Sequence, residues 1–390
     1  MNKSRYSLLR ALHFFIGFIP SLISFFYPRN SKVIIFNSQF NKTFEHNSRA
    51  LFLYLLDNHD EFSLKFVIND TQKRNELIRK YGNYFITNYR IKDIVEIVSS
   101  KVWLCSSLET PIIGIGLSFR RTVIHLGHGA PVKSIGLNET YISPIKSIYY
   151  RIIRSNFSYF MSSSEVFDAA WANCLKLPFS RIIRCPQARC DQVIFPDITL
   201  LDNIVDRNNY NILYAPTWRP FSETKLFPFD DLNVDLLFDF LEKKCINLYL
   251  RLHPNFESTL DENILKCNRV KILTSIQVND INTILGAFDL LITDYSSIYI
   301  DFLLTEKPIL FLPYDYEEYK STVGFSIDYD FFSPGPKPES LTDFLLELER
   351  LLTNSNYYLD ARKNANKALN PIVSEHAKKT FYLVKELSSI

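Results

Sequence analysis

Residues 290–315 read LLITDYSSIYIDFLLTEKPILFLPYD. Leu290–Thr293 and Ile309–Leu312 are short apolar runs of the kind shown by parallel strands buried on both faces. The segment between them has helical length, so the unit is strand, turn, helix, strand. Asp294, Ser296 and Ser297 stand where the first strand ends and the helix begins. Free backbone N–H groups and the helix dipole favour an anion at such a place. The two hydroxyls add donors for phosphate oxygens, and the Asp294 carboxylate can order the turn or hold a ligand hydroxyl. Ser and Asp are also the commonest helix caps. Taken alone the turn reads first as a cap, and its surroundings must raise it to a ligand site.

The same alternation extends outward in both directions. Apolar runs at 33–36, 65–68, 84–87, 101–105, 122–126, 159–162 and 181–185 read as strands, separated by segments of helical spacing such as Glu45–Asp57 and Glu165–Leu175. A second set follows at 211–214, 246–250, 269–273, 290–293 and 309–312. Strand and helix alternating at this pace predict a doubly wound α/β architecture. The expected divisions are an N-terminal segment over 1–30, a first α/β domain over 31–195 and a second over 196–370. A closing helix over 371–390 is expected to pack back on the first domain. The pattern is that of two Rossmann-like domains facing an interdomain cleft.

Composition agrees with a folded chain of this size. Of 390 residues, 47% are hydrophobic and 15% aromatic, which excludes the disordered class. A net charge of +2 gives no overall basic field, so no nucleic-acid partner is expected. The six cysteines form no CxxC pair and have no zinc-type spacing, so they read as reduced, packed thiols.

The N-terminus is different. After Lys3, Arg5 and Arg10, residues 11–28 run ALHFFIGFIPSLISFFYP. That is slightly short of the about 20 residues a spanning helix needs, and Pro20 interrupts it. No small-residue cleavage site follows. A basic, aromatic, apolar segment of this kind suits the membrane interface, with a helix covering part of the core as the plainer alternative.

Three further clusters fall at the carboxyl ends of expected strands, where ligands bind in open α/β sheets. In HLGHGAPVKSIG, residues 125–136, His128 lies between two glycines and Lys133 follows five residues on. A neutral imidazole there can take a proton from an attacking hydroxyl. In YAPTWRP, residues 214–220, Thr217 and Arg219 suit phosphate, Arg219 by a bidentate pair of N–H bonds. In RLHP, Arg251 and His253 share a face if the strand persists and suit a diphosphate. A Trp packed beside a surface Arg and a core histidine are the ordinary alternatives. Together the clusters imply transfer from an anionic activated donor to a hydroxyl. No Walker A loop, GxGxxG, HExxH or DxD-like metal site is present, so no metal or cofactor is expected. Leaving-group charge then falls to Arg, His and N–H donors.

These clusters resemble the CDP-glycerol glycerophosphotransferase family, the GT-B-like, membrane-peripheral primases and polymerases of teichoic acid. The family's HGTPLK is similar to residues 128–133, YAPTWR to 214–219, RxHP to 251–254 and TDYSS to 293–297. KPILFLPYDYEEY at 307–319 and GFSIDY at 324–329 are also similar, and the likeness covers about residues 30–340. Ala130 stands where the family has Thr, and Ala188-Arg189-Cys190-Asp191 where it usually has Pro-Arg-Asn-Asp.

The resemblance implies that His128 deprotonates the acceptor hydroxyl, which attacks the β-phosphate of CDP-glycerol and expels CMP. Arg251, His253, Ser296 and Ser297 would hold the diphosphate and stabilise the leaving CMP, with His253 as the second catalytic residue beside His128; Asp294 would shape their turn, Thr217 and Arg219 would assist, and Lys133 would contact acceptor or phosphate. Implied partners are CDP-glycerol or a related CDP-polyol such as CDP-ribitol, a lipid-linked glycan or polyol-phosphate acceptor, and the cytoplasmic membrane surface. The product would be a teichoic-acid or capsule-type polymer. Two other readings stay open on the residues alone: a GT-B glycosyltransferase using a nucleotide sugar, and a non-catalytic membrane-associated scaffold.

Overall fold

Each apolar run forms a strand, and all the strands run parallel to their neighbours. The computed structural model describes residues 17–202, 204–219, 221–252 and 264–390. The first sheet holds β1 (Asn30–Asn37), β2 (Ser63–Val67), β3 (Phe85–Ile86), β4 (Ser100–Cys105), β5 (Thr122–His125), β6 (Tyr159–Ser162) and β7 (Ile182–Arg184). Their spatial order is β3-β2-β1-β4-β5-β6-β7. The second holds β8 (Tyr210–Ala215), β9 (Ile246–Leu250), β10 (Val270–Ile272), β11 (Leu290–Thr293) and β12 (Ile309–Phe311), in the order β10-β9-β8-β11-β12. All residues of β9, β11 and β12 are buried, which explains why these strands are continuous apolar runs rather than alternating ones.

The chain divides into two compact units: the described residues up to Arg189 with Ile372–Ile390, and Cys190–Pro371. Each has its own core. In the first, helix His46–Asn58 buries Leu51, Phe52 and Leu55 against Phe36 and Phe66. Helix His376–Ser388 adds Phe381 and Val384 to the same core, and the Phe381 ring lies 4.4 Å from that of His59. In the second, Leu237 and Leu241 of helix Val234–Lys243 meet Phe344 and Leu348 of helix Leu341–Thr353 against β8, β9 and β11. The six cysteines are free, and all but Cys245 are buried.

Residues 17–26 are helical and continue through Pro20, which costs a helix one backbone bond without necessarily ending it. Residues 1–16, including the basic start and the first part of the apolar run, lie outside the described residues. The helix is seated on the loop after β4: Ile115 N–H donates to Ser21 Oγ at 2.7 Å, and Arg121 donates to Ser24 Oγ at 2.9 Å while stacking on Trp103. Its outer side shows Phe18, Ile19, Ile23 and Phe26, each more than half exposed. Among the described residues no helix is long and apolar enough to cross a membrane.

Candidate active site

Strand order reverses between β1 and β4 in the first sheet and between β8 and β11 in the second. Loops diverge at such a point, and the space beyond the strands' carboxyl ends accepts ligands. Every expected site residue that the structure describes lies on a loop at that end of its sheet.

In the second unit the loops after β8 and β11 are tied together by Asp294. One carboxylate oxygen accepts the Thr217 backbone N–H at 2.8 Å, and the other accepts Arg219 Nη1 at 2.6 Å. Arg219 also donates Nε and Nη2 to the two oxygens of Asp315 at 2.7 and 2.8 Å, and Nη1 to Thr217 O. Tyr295, Tyr314 and Tyr319 enclose its guanidinium at 4.8–5.3 Å from their ring centres. Burial by itself would lower the Arg219 pKa, but hydrogen bonding to Asp315 and the charge of Asp294 outweigh it and raise the value. At 1% exposure, Arg219 turns its fork inward, whereas the sequence reading expects it to face phosphate. It holds the turn in place. Asp315 and the tyrosines were not singled out in the sequence, although Asp315 closes the 290–315 stretch.

Ser296 and Ser297 are half-buried beyond that turn. Ser297 precedes the short helix Ile298–Phe302 but makes no side-chain cap bond, so capping does not account for its hydroxyl. Thr217 Oγ1 is buried without a hydrogen-bond partner. Arg251 extends from β9, donating its N–H to Tyr214 O at 2.9 Å and Nη1 to Leu273 O at 3.2 Å. His253 lies outside the described residues.

In the first unit His128 follows β5 on a turn whose flanking glycines both have positive φ, +76° at Gly127 and +142° at Gly129. Side chains rarely adopt these values, so the two glycines are required by the turn. Asn47, in the first turn of helix His46–Asn58, donates Nδ2 to Leu126 O and Gly127 O at 2.9 and 3.0 Å. Its Oδ1 accepts the Arg189 N–H, and Arg189 Nη1 donates to His128 O. The loop is therefore held by polar groups on two other segments.

His128 Nδ1 lies 3.0 Å from Ser106 O. A carbonyl only accepts, so Nδ1 carries the hydrogen and the Nε2 lone pair remains free to take a proton. The residue is exposed by surface area, but its ring is crowded by protein and opens to solvent through a pocket. Desolvation holds its pKa below 6.5 and outweighs the opposing Ser106 bond, while the charge of Arg189 lowers it further. Neutral imidazole is thus the form present at pH 7.

The pocket has a volume of about 540 Å³ and lies beyond β1 and β4, at the switch point. His128, Ser107, Asn69 and Asn88 give it polar groups, and Ile112, Ile113 and Ile153 line its apolar part. Lys133 is half-buried further along the turn and does not line it.

A parallel-sheet α/β fold with a neutral histidine in one unit and a hydroxyl-rich turn in the other defines a GT-B-like group-transfer protein. Residues 20–382 match the family described as CDP-Glycerol:Poly(glycerophosphate) glycerophosphotransferase, and the chain belongs to that family. It is an enzyme of polyol-phosphate transfer from a CDP-activated donor. Similar proteins include a teichoic acid glycerol-phosphate transferase of Staphylococcus aureus, 25% identical over 85% of this chain and 87% of its own. A teichoic acid poly(glycerol phosphate) polymerase of Bacillus spizizenii is 27% identical over 79% and 81%. Among solved structures, the wall teichoic acid polymerase TagF matches with a TM-score of 0.73 at 19% identity, covering 93% of this chain and 89% of that one. That likeness supports the GT-B-like fold.

Proposed function

We propose that the chain transfers glycerol phosphate from CDP-glycerol to the hydroxyl of a lipid-linked acceptor at a membrane surface, with His128 as the base. The observation that carries this reading is the Nδ1–H bond of His128 to Ser106 O, which leaves Nε2 unprotonated at the pocket. Nε2 takes the acceptor's proton as its oxygen bonds to the β-phosphorus. The bond from that phosphorus to the bridging oxygen breaks, and CMP leaves with the electron pair. Ser296, Ser297 and Arg251 bind the diphosphate, His253 shares that task, and Asp294 with Thr217 and Arg219 keeps the turn in position. The neutral state of His128 and the Ser297 hydroxyl that makes no cap bond support these roles.

Association with the membrane rests on the outer side of helix 17–26. Four large apolar side chains on one short exposed helix suit an interface that takes them out of water. Phe18→Ser with Ile23→Ser should lower binding to anionic liposomes at unchanged affinity for CDP-glycerol. Unaltered liposome binding would remove this helix from the reading.

The test of the reaction is CMP release from CDP-glycerol and from CDP-ribitol in parallel, with a lipid-linked acceptor extract, for wild type and His128→Ala. Release from CDP-glycerol that is lost in the variant is the expected result. Release from CDP-ribitol alone would change the donor, and release undiminished in the variant would remove His128 as the base.

A further inference from the structure

Three consecutive residues at the start of helix His46–Asn58 reach the surroundings of His128, each at a different point. His46 brings its ring to 5.7 Å from that of His128, tilted at 49°. Asn47 holds the two carbonyls that precede His128 and accepts the Arg189 N–H. Ser48 donates its N–H to Ser106 Oγ at 2.8 Å, and the two hydroxyls share a second bond at 2.7 Å. Ser106 is the residue whose carbonyl takes the Nδ1–H of His128. Ring, loop and hydrogen-bond acceptor are thus all tied to one helix turn.

His46 stands apart from the other two in its backbone. Its φ is +63°, in the left-handed region that a residue with a β-carbon enters only at a cost. Such a conformation persists where the surroundings over-determine it, and Asn47, Ser48 and Ser106, all fully buried and hydrogen-bonded, are surroundings of that kind. The Nε2 of His46 lies 3.7 Å from Glu45 Oε2, so the ring has a neighbour besides His128. His46 does not line the pocket into which His128 opens, so its place is against the imidazole and not against what enters there. One hydrogen bond to Ser106 O fixes where Nδ1 points. A packed neighbour is needed to fix the plane of the ring, and with it the direction of Nε2.

We infer that His46 is a positioning residue for His128 and acts together with Ser48: the His46 ring sets the plane of the imidazole, and Ser48 holds the residue whose carbonyl keeps the hydrogen on Nδ1. The inference rests on the proposed reading of His128 as the base and adds the part of the fold that aims it. A lone pair on Nε2 works only when it is directed at the hydroxyl proton within hydrogen-bond reach. A ring released from these contacts turns away and populates both tautomers, which costs rate and leaves donor binding untouched.

The test separates the ring from the backbone beneath it. Asn enters the left-handed region more readily than most side chains, so His46→Asn removes the ring and keeps the turn. Heteronuclear NMR of the histidine side chains in the full chain reads the tautomer, with the His128 signals identified by their loss in His128→Ala. Wild type should carry hydrogen on Nδ1 of His128 alone. His46→Asn and Ser48→Ala should each give a mixture of the two tautomers, and each should lower kcat for CMP release by about tenfold to a hundredfold at unchanged KM for CDP-glycerol. The urea midpoint of His46→Asn should stay at the wild-type value, which sets the effect apart from unfolding. A single Nδ1–H tautomer in both variants at unchanged kcat would overturn the inference, as would a rise in KM at constant kcat. Mixed tautomers in the variants, with CMP release that survives His128→Ala, would overturn the base instead and leave the positioning of the ring standing.

Discussion

The Asp294 carboxylate lies 2.6 Å from Nη1 of Arg219, and both side chains are almost wholly buried. Seventy-five residues apart in sequence, they lock the loops after β8 and β11 to each other. Removing one member of such a pair strands the other without water or partner, which costs about 3–5 kcal/mol. Asp294→Asn should therefore destabilise the second unit by roughly that amount, read by urea unfolding followed through tyrosine fluorescence. A loss below about 1 kcal/mol would mean that Asp315 alone satisfies Arg219.

Ser296 and Ser297 should behave in the opposite way. The Ser297 hydroxyl does not cap the helix that follows and both serines are only half-buried, so Ser296→Ala and Ser297→Ala should change stability by less than about 0.5 kcal/mol. Each loses a hydrogen bond to a charged oxygen, so Kd for CDP-glycerol should rise about tenfold or more. Calorimetric titration checks this. Lost stability at unchanged affinity would return both residues to a structural role.

His128→Ala should lower kcat by about 10²–10⁴-fold, the usual contribution of a positioned base, at nearly unchanged donor affinity. Because burial depresses the pKa of His128, the wild-type kcat/KM should be flat through pH 7 and fall only below 6.5, as the imidazole takes up a proton. An acid limb centred above 6.5 would assign the titration to another group.

His125 gives a separate pH signature, in stability. It is 1% exposed, stacked on Phe160 at 4.6 Å and close to Trp171, and its Nδ1 has no hydrogen-bond partner. Burial, and next the neighbouring His128, push its pKa down to about 3. Between about pH 6.5 and 3 the unfolded chain binds a proton here that the folded chain refuses, so stability is lost as pH falls through that window. The slope is about 1.4 kcal/mol per pH unit for this one group. His125→Phe should keep the stacked core and reduce the acid sensitivity by that slope. Parallel curves for the two proteins across pH 4–6 would mean that another group sets it.

Much of the architecture was legible because burial on both sheet faces leaves a direct trace in the chain. Continuous runs such as LLIT at 290–293 and INLYL at 246–250 have no stable place except a covered parallel strand. The ends of those runs in turn place His128, Thr217, Arg251 and Asp294, since the loops that leave a parallel sheet's carboxyl edge start there. The glycines on either side of His128 stand out in the chain, but that both take positive φ in one turn is a finding of the structure.

What the chain order does not encode is which way a long side chain turns. Arg219 reads as a phosphate ligand because guanidinium suits phosphate, yet carboxylates at 294 and 315, brought near only by the sheet, take its donors and draw it inward. The tautomer of His128 depends on a carbonyl 22 residues before it, and its loop depends on Asn47, 80 residues from Gly127. The pocket is assembled from the ends of β1 and β4 together with helix Pro144–Ile153. The sequence by itself therefore determined the strands, their ends and the residue types gathered there, because those follow from local periodicity and burial. Only the tertiary structure decided which groups are spent on one another and which remain for substrate, because hydrogen-bond partners and pKa values are set by contacts distant in the chain.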